Sequence, residues 1–371
     1  MFRNYRIRDY DFKLIAMILM LAGIGVMTIA SAEPSLRNKQ LFGVISGAII
    51  MIVLSFFNYS FYLRLHWLMY LANLVLLILV IAAGQEGGGA QRWLKIGGLQ
   101  FQPSETAKIL LILFFAQFIM KYKEKLNTFK IIVSCIVLIF IPWKLIYDQP
   151  DLSTSLVLIA VFCVIMFAGG ISYKLIFGVL AVMIPVVAIV ISLALQPDAE
   201  NSFLQGYQMD RILAFLNPEE YKNAEAYQQY NSVMAIGSGQ LDGKGYQNNE
   251  ITSVKNGNFI SEAQTDFIFA VIGEEFGFKG CVVVIALLFG IALECVSIAR
   301  RAKDLAGTII AASMGGLVAV QGFINMGVAT FILPNTGLPL PFVSYGLTSL
   351  WSLFIGMGVV LNIRLQAKRN Q

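Results

Sequence analysis

Asp266 stands where a long polar stretch, residues 196–265, runs into the apolar sequence Phe267-Ile268-Phe269-Ala270-Val271-Ile272-Gly273. Partial desolvation at such a border raises a carboxyl pKa toward the range of a general base, and a neighbouring cation pulls it back down. The same position suits a helix N-terminus, where an Asp caps free amides and complements the dipole. Spacing leaves these two readings open. Three further clusters carry similar pairs of readings. In Gln102-Pro103-Ser104-Glu105-Thr106-Ala107-Lys108, Glu105 and Lys108 are three apart and share one face of a first helical turn opened by Pro103. They can form a helix-end ion pair, or Lys108 can hold a phosphate that Glu105 positions. In Gln149-Pro150-Asp151-Leu152-Ser153-Thr154, Asp151 can cap a helix or coordinate a sugar hydroxyl or a cation. Arg92 lies in the glycine-rich run 87–98 beside Trp93. It can grip phosphate in two-pronged fashion, or belong to a flexible loop whose tryptophan anchors at headgroup level.

These residues need elements to hold them, and composition says which kind. Of the 371 residues 57% are hydrophobic and only 13% charged, about half the charge of a soluble domain. Charge-poor runs of roughly spanning length recur at 14–32, 40–63, 67–85, 103–120, 131–147, 152–173, 175–197, 278–299, 305–333 and 343–363. The expected fold is an all-α polytopic membrane protein of ten transmembrane helices, with residues 1–371 one integral-membrane domain. Placing the N-terminus inside puts 16 of the 27 basic residues on the inner side, among them Lys13, Lys121, Lys125, Arg300 and Arg364. Both termini are then cytoplasmic, and the long loop between the seventh and eighth spans faces outward with Asp266.

Several function classes fall away. The net charge of +5 is spread over short inner loops, which the positive-inside rule explains, so nucleic-acid binding is not expected. Cys135, Cys163, Cys281 and Cys295 sit far apart in apolar runs without a CxxC spacing, against a metal site or disulfide. His66 is the one histidine and falls on the inner side, leaving carboxylate, lysine or tyrosine for acid–base work outside. No Walker or dinucleotide fingerprint is present, and the first apolar run reads as a retained helix with no clear cleavage pattern.

The apolar stretch 266–299 has 34 residues, about 51 Å as one helix and too long for a single crossing. It must break at Gly273, Gly277 or Gly280, so a separate interfacial or re-entrant helix is expected within the loop 197–277, and the eighth span should start near Phe278. A re-entrant element is tolerated only where protein or a water-filled cavity satisfies it, which argues for a cavity beside Asp266. The segment 334–346, with Pro334, Pro339 and Pro341, cannot be regular helix and is either a turn or a shaped wall of that cavity.

Taken in order, 93–108, Gln149-Pro150-Asp151, 211–218, 235–239 with Gly243-Lys244-Gly245, 265–277 and 338–346 resemble the SEDS family (shape, elongation, division and sporulation proteins), on its RodA-like branch. Ser153, Gln240, Ser261 and Leu347-Thr348 depart from the usual pattern without removing a candidate acid or base. The resemblance implies a multi-pass protein of the bacterial cell membrane that polymerises lipid II, the undecaprenyl-pyrophosphate-linked disaccharide peptide, into glycan strands for cell elongation and shape. It implies Asp266 as catalytic general base. It also implies Glu105, Lys108 and Asp151 as polar residues lining the same cavity, and a class B penicillin-binding protein as partner. Together with Arg92, Lys244 and Ser344 these three are the expected substrate-binding residues, Lys108 and Arg92 being the cations expected to stabilise the pyrophosphate, a charge that a divalent cation (Mg or Mn) can share. A lipid II flippase, using the same substrate without making a bond, is the rival reading.

Overall fold

The computed structural model describes residues 9–87, 90–96, 99–175, 178, 181, 206–221, 226–247, 259–261 and 263–367. In chain order the helices are α1 (Phe12–Ala32), α2 (Arg37–Phe56), α3 (Tyr59–Arg64), α4 (His66–Ala83), α5 (Pro103–Lys121), α6 (Phe129–Tyr147), α7 (Leu152–Ala168), α8 (Gly206–Leu216), α9 (Tyr227–Ser238), α10 (Ile268–Arg300), α11 (Leu305–Ala329) and α12 (Leu347–Leu365). Among the described residues eight helices are long and apolar enough to cross a membrane, and α7 adds a shorter apolar helix of 17 residues. Of the expected seventh span, 175–197, all but residues 175, 178 and 181 lie outside the described residues. Phe42, Ile45 and Ile49 on α2, and Phe278, Val282 and Phe289 on α10, are exposed. Such apolar faces are stable against lipid rather than water.

The helices do not share this exposure equally. In α5, 78% of the most apolar stretch is buried, against 22% in α4 and in α6. The helix that carries Glu105 and Lys108 is therefore central, with α4 packed against it and α6 outside, packed on α4 and α7. Inside α6, Pro142 has no N–H for the carbonyl of Leu138 four residues back. The Tyr70 hydroxyl of α4 donates to that carbonyl at 2.8 Å and closes the gap.

Four expected boundaries shift by four residues or more, the ninth span ending at Ala329 instead of Leu333. The second span ends at Phe56 instead of Leu63, because the Asn58 side chain accepts from Ser60 N at 3.0 Å and starts α3 as a separate helix. The sixth stops at Ala168, where Gly169 and Gly170 (φ 89°) turn the chain. The tenth opens at Leu347, because residues 331–346 are held out of helix. The glycine-rich run is no plain loop. It folds into a small antiparallel sheet, β1 (Gln85–Gly87), β2 (Ala90–Ile96) and β3 (Leu99–Phe101), in the order β1-β2-β3, with Leu94 opposite Phe101.

One end of the bundle is tied by the charges that flank its apolar runs. Lys13 meets Glu294 at 2.7 Å, Arg364 lies 3.8 Å from Asp11, and Tyr59 donates to Asp304 at 2.8 Å. The other end gathers the sheet, α9, the segment 331–346 and the starts of α5, α7 and α10.

Within α10 the helix breaks at Gly277, whose φ of 62° and ψ of −162° are open to glycine alone. Residues 268–276 thus form a short helix of their own ahead of the long one. The polar groups freed at the break find partners in the loop after α9. Lys244 N and Gly245 N donate to the carbonyls of Glu274 and Glu275 at 2.9 and 3.1 Å, while Phe278 N and Lys279 N donate to Gln240 O and Leu241 O at 2.8 and 3.3 Å. A broken helix at membrane depth requires such substitutes, and the glycine-rich text around Gly243 supplies them as backbone.

Candidate functional site

Pro103 opens α5, and Glu105 and Lys108 follow on one face of its first turns. Both are buried, at 3% and 1% exposure. Lys108 Nζ donates to Glu105 Oε1 at 2.7 Å and to Gln321 Oε1 on α11 at 3.0 Å. The other end of the Gln321 amide donates to Pro339 O at 2.9 Å. The buried pair is therefore linked through one amide to the segment ahead of α12.

Asp151 caps α7. Its Oδ1 accepts from Thr154 N at 3.1 Å, and its Oδ2 accepts from Gln102 Nε2 and Ser104 Oγ, each at 3.4 Å. At 3% exposure it acts as a joint between α7 and the start of α5. Arg92 projects from β2 onto the turn just before it, donating to Gln149 O at 3.4 Å and to Pro150 O. Its guanidinium, half-buried, braces the α6–α7 turn.

Asp266 is half-buried and lies just outside α10, whose N-cap position falls at Phe267. Its carbonyl accepts from Asn325 Nδ2 at 2.7 Å, and the same nitrogen donates to Leu338 O at 2.7 Å. Gly337, at φ 71°, comes so close that a Cβ added there would lie 3.2 Å from Asp266 Oδ2. Ser344 completes the seam, donating to Thr265 O at 2.5 Å and accepting from Leu340 N at 2.7 Å, while Tyr345 N donates to Gln264 O at 2.9 Å. Burial pushes the Tyr345 phenol above its ordinary value, so it stays protonated at neutral pH and is no rival base.

Asp266 thus lies against the segment 335–346, which contains Ser344, and the Glu105–Lys108 pair is tied to it through Gln321; Asp151 itself bonds to Gln102, Ser104 and Thr154. Ser153, two residues past Asp151, donates to Thr336 O. Lys244 lies apart from them, at the far end of the short helix, paired with Glu274 at 3.0 Å. Gln321 and Asn325 are missing from the sequence expectations, although two amides four residues apart in an apolar run were a readable signal. Among the described residues no three His, Cys, Asp or Glu come together as a metal centre would require.

The fold and this site define a multi-pass helical membrane protein in which a buried ion pair and a half-buried carboxylate face one irregular wall at one end of the bundle. The family model described as cell cycle protein, covering FtsW, RodA and SpoVE, matches residues 12–369, and the chain belongs to that family. It is 33% identical to the peptidoglycan glycosyltransferase MrdB of Escherichia coli K12 over 95% of this chain and 91% of that protein. It is 32% identical to a probable peptidoglycan glycosyltransferase FtsW of Trichlorobacter lovleyi over 97% of this chain and 94% of that one. A chain in a solved peptidoglycan synthase complex, described as coordinating polymerization and crosslinking, superposes with a TM-score of 0.79 at 26% identity, covering 96% of this chain and 97% of that chain.

Proposed function

We propose that this protein is a peptidoglycan glycosyltransferase that polymerises lipid II at the outer face of the bacterial cytoplasmic membrane, with Asp266 as general base. The observation that carries the assignment to Asp266 is its exposure. Glu105 and Asp151 are each 3% exposed, whereas Asp266 is half-buried at the edge of the wall. Asp266 takes the proton of the acceptor N-acetylglucosamine 4-hydroxyl as that oxygen attacks the anomeric carbon of the donor N-acetylmuramic acid. The new C–O bond forms on one face while the bond to pyrophosphate breaks on the other, with inversion. Arg92, half-buried on β2 beside the Asp151 turn, stabilises the developing pyrophosphate charge. Lys108, sealed behind the wall and neutralised by Glu105, holds Gln321 and through it Pro339 of the wall in place. A divalent cation finds no preformed three-ligand centre among the described residues.

The positive-inside count sets the orientation, and the charged helix ends around Lys13, Arg300 and Arg364 lie at the end opposite the site. The partner is a class B penicillin-binding protein, in keeping with the synthase complex that the chain resembles. The role in elongation rests on Phe215-Leu216-Asn217-Pro218-Glu219 and Gly243-Lys244-Gly245, which resemble that branch. Purified protein, with and without such a partner, should convert lipid II to glycan, and Asp266→Asn should reduce the rate at least about a hundredfold. Asp266→Asn working at the wild-type rate would remove the base assignment. Lipid II binding without product under every condition would favour the flippase.

A further inference from the structure

Asn325 makes two bonds whose ends belong to different parts of the site. Its Nδ2 lies 2.7 Å from the carbonyl of Asp266 and 2.7 Å from the carbonyl of Leu338. Two carbonyl acceptors leave no choice of amide orientation, because only the NH2 end can donate. Leu338 follows Gly337, the residue that faces Asp266 Oδ2. One buried side chain, 1% exposed, therefore ties the backbone of the carboxylate to the backbone of the wall opposite it. One turn earlier on α11, Gln321 fixes Pro339 to the Lys108–Glu105 pair in the same manner.

We infer that Asn325 is a positioning residue for Asp266: it sets the gap between the carboxylate and the segment 337–338 and leaves lipid II affinity untouched. The inference rests on the reading of Asp266 as the base. Asn325→Asp keeps the shape but turns an acceptor toward two carbonyls, and Asn325→Ala removes the tie. For either variant kcat should fall on the order of a hundredfold, the loss typical of a misplaced reacting group, with KM for lipid II changed less than about twofold.

The discriminating measurement is a cycle with Asp266→Asn, read from residual rates in long incubations. A residue that acts through Asp266 loses its effect once Asp266 is gone, so Asn325→Ala should add little in that background. Lipid II binding and the unfolding midpoint of each variant establish that it is folded. If Asn325→Asp does not fold, Asn325→Ala decides, and Asn325→Gln decides if neither does, since it keeps the donor one methylene displaced and should still lower kcat. Wild-type kcat in a folded variant, or losses that multiply across the cycle, would overturn the inference while leaving the base assignment standing. A wild-type protein that makes no glycan, or an Asp266→Asn variant as active as wild type, would instead remove the reading beneath it.

Discussion

Gly277→Ala should separate the carboxylate's helix from the loop that holds its far end. The wild-type φ of 62° and ψ of −162° belong to a region essentially closed to residues with a Cβ, at about 1–3 kcal/mol. The new Cβ would lie 2.4 Å from Gly243 N and 2.7 Å from Leu241 O, both backbone atoms, so the loop itself must move. Of the four backbone bonds that close the break, losing two adds about 2 kcal/mol. Together the loss is about 3–5 kcal/mol. The purified variant in detergent, followed by intrinsic tryptophan fluorescence, should unfold on the order of 5 °C or more below wild type. Its polymerisation rate should fall too, because the short helix 268–276 carries Asp266 at its other end. Gly23→Ala is the control: nothing lies within 4 Å of its added Cβ, and a mid-helix alanine is neutral or stabilising. Equal melting and activity in the two variants would refute the account of the break.

The buried pair gives a second test. Glu105→Gln or Lys108→Met alone should each destabilise by about 3–5 kcal/mol, since each strands a charge or its donors, while the double variant should recover much of the loss. Additive single effects in the same melting assay would mean that the two side chains do not depend on one another. Tyr70→Phe should destabilise by about 1–3 kcal/mol in the wild type, by leaving the Leu138 carbonyl without a donor, yet cost little in a Pro142→Ala background, where residue 142 regains its N–H. An equal cost in both backgrounds would disprove that pairing.

The spans were legible because apolar length is a strong signal, and the need for a break in 266–299 followed from arithmetic alone. Gly277 could not be told from Gly273 or Gly280 in the sequence, because the choice depends on where the loop 240–245 docks. The sheet escaped notice because strands of three, seven and three residues have no periodicity to read. Glu105 with Lys108, and Asp151, were readable as helix-end chemistry. In both cases the bland reading is also true: one is a buried ion pair and the other a helix cap. What no local pattern could reveal is that Gln321 and Asn325 turn toward the segment 338–339 instead of toward lipid, since that depends on the packing of α11 against α5 and α10.

The arrangement of the wall follows from its prolines. Pro334, Pro339 and Pro341 have no N–H, so the segment cannot close a hydrogen-bonded helix, and its carbonyls must find donors elsewhere. They find them on three helices: Arg211 of α8 donates to Asn335 O, Ser153 of α7 to Thr336 O, and Asn325 and Gln321 of α11 to Leu338 O and Pro339 O. Gly337, between them, is the residue that comes up against Asp266. An irregular segment held in this way keeps its shape although it forms no ladder of its own, and a change at any of the three helix ends is transmitted to the space beside the carboxylate. The site therefore depends on packing among helices remote in sequence, and a defect in α7, α8 or α11 should show first in turnover and only later in folding.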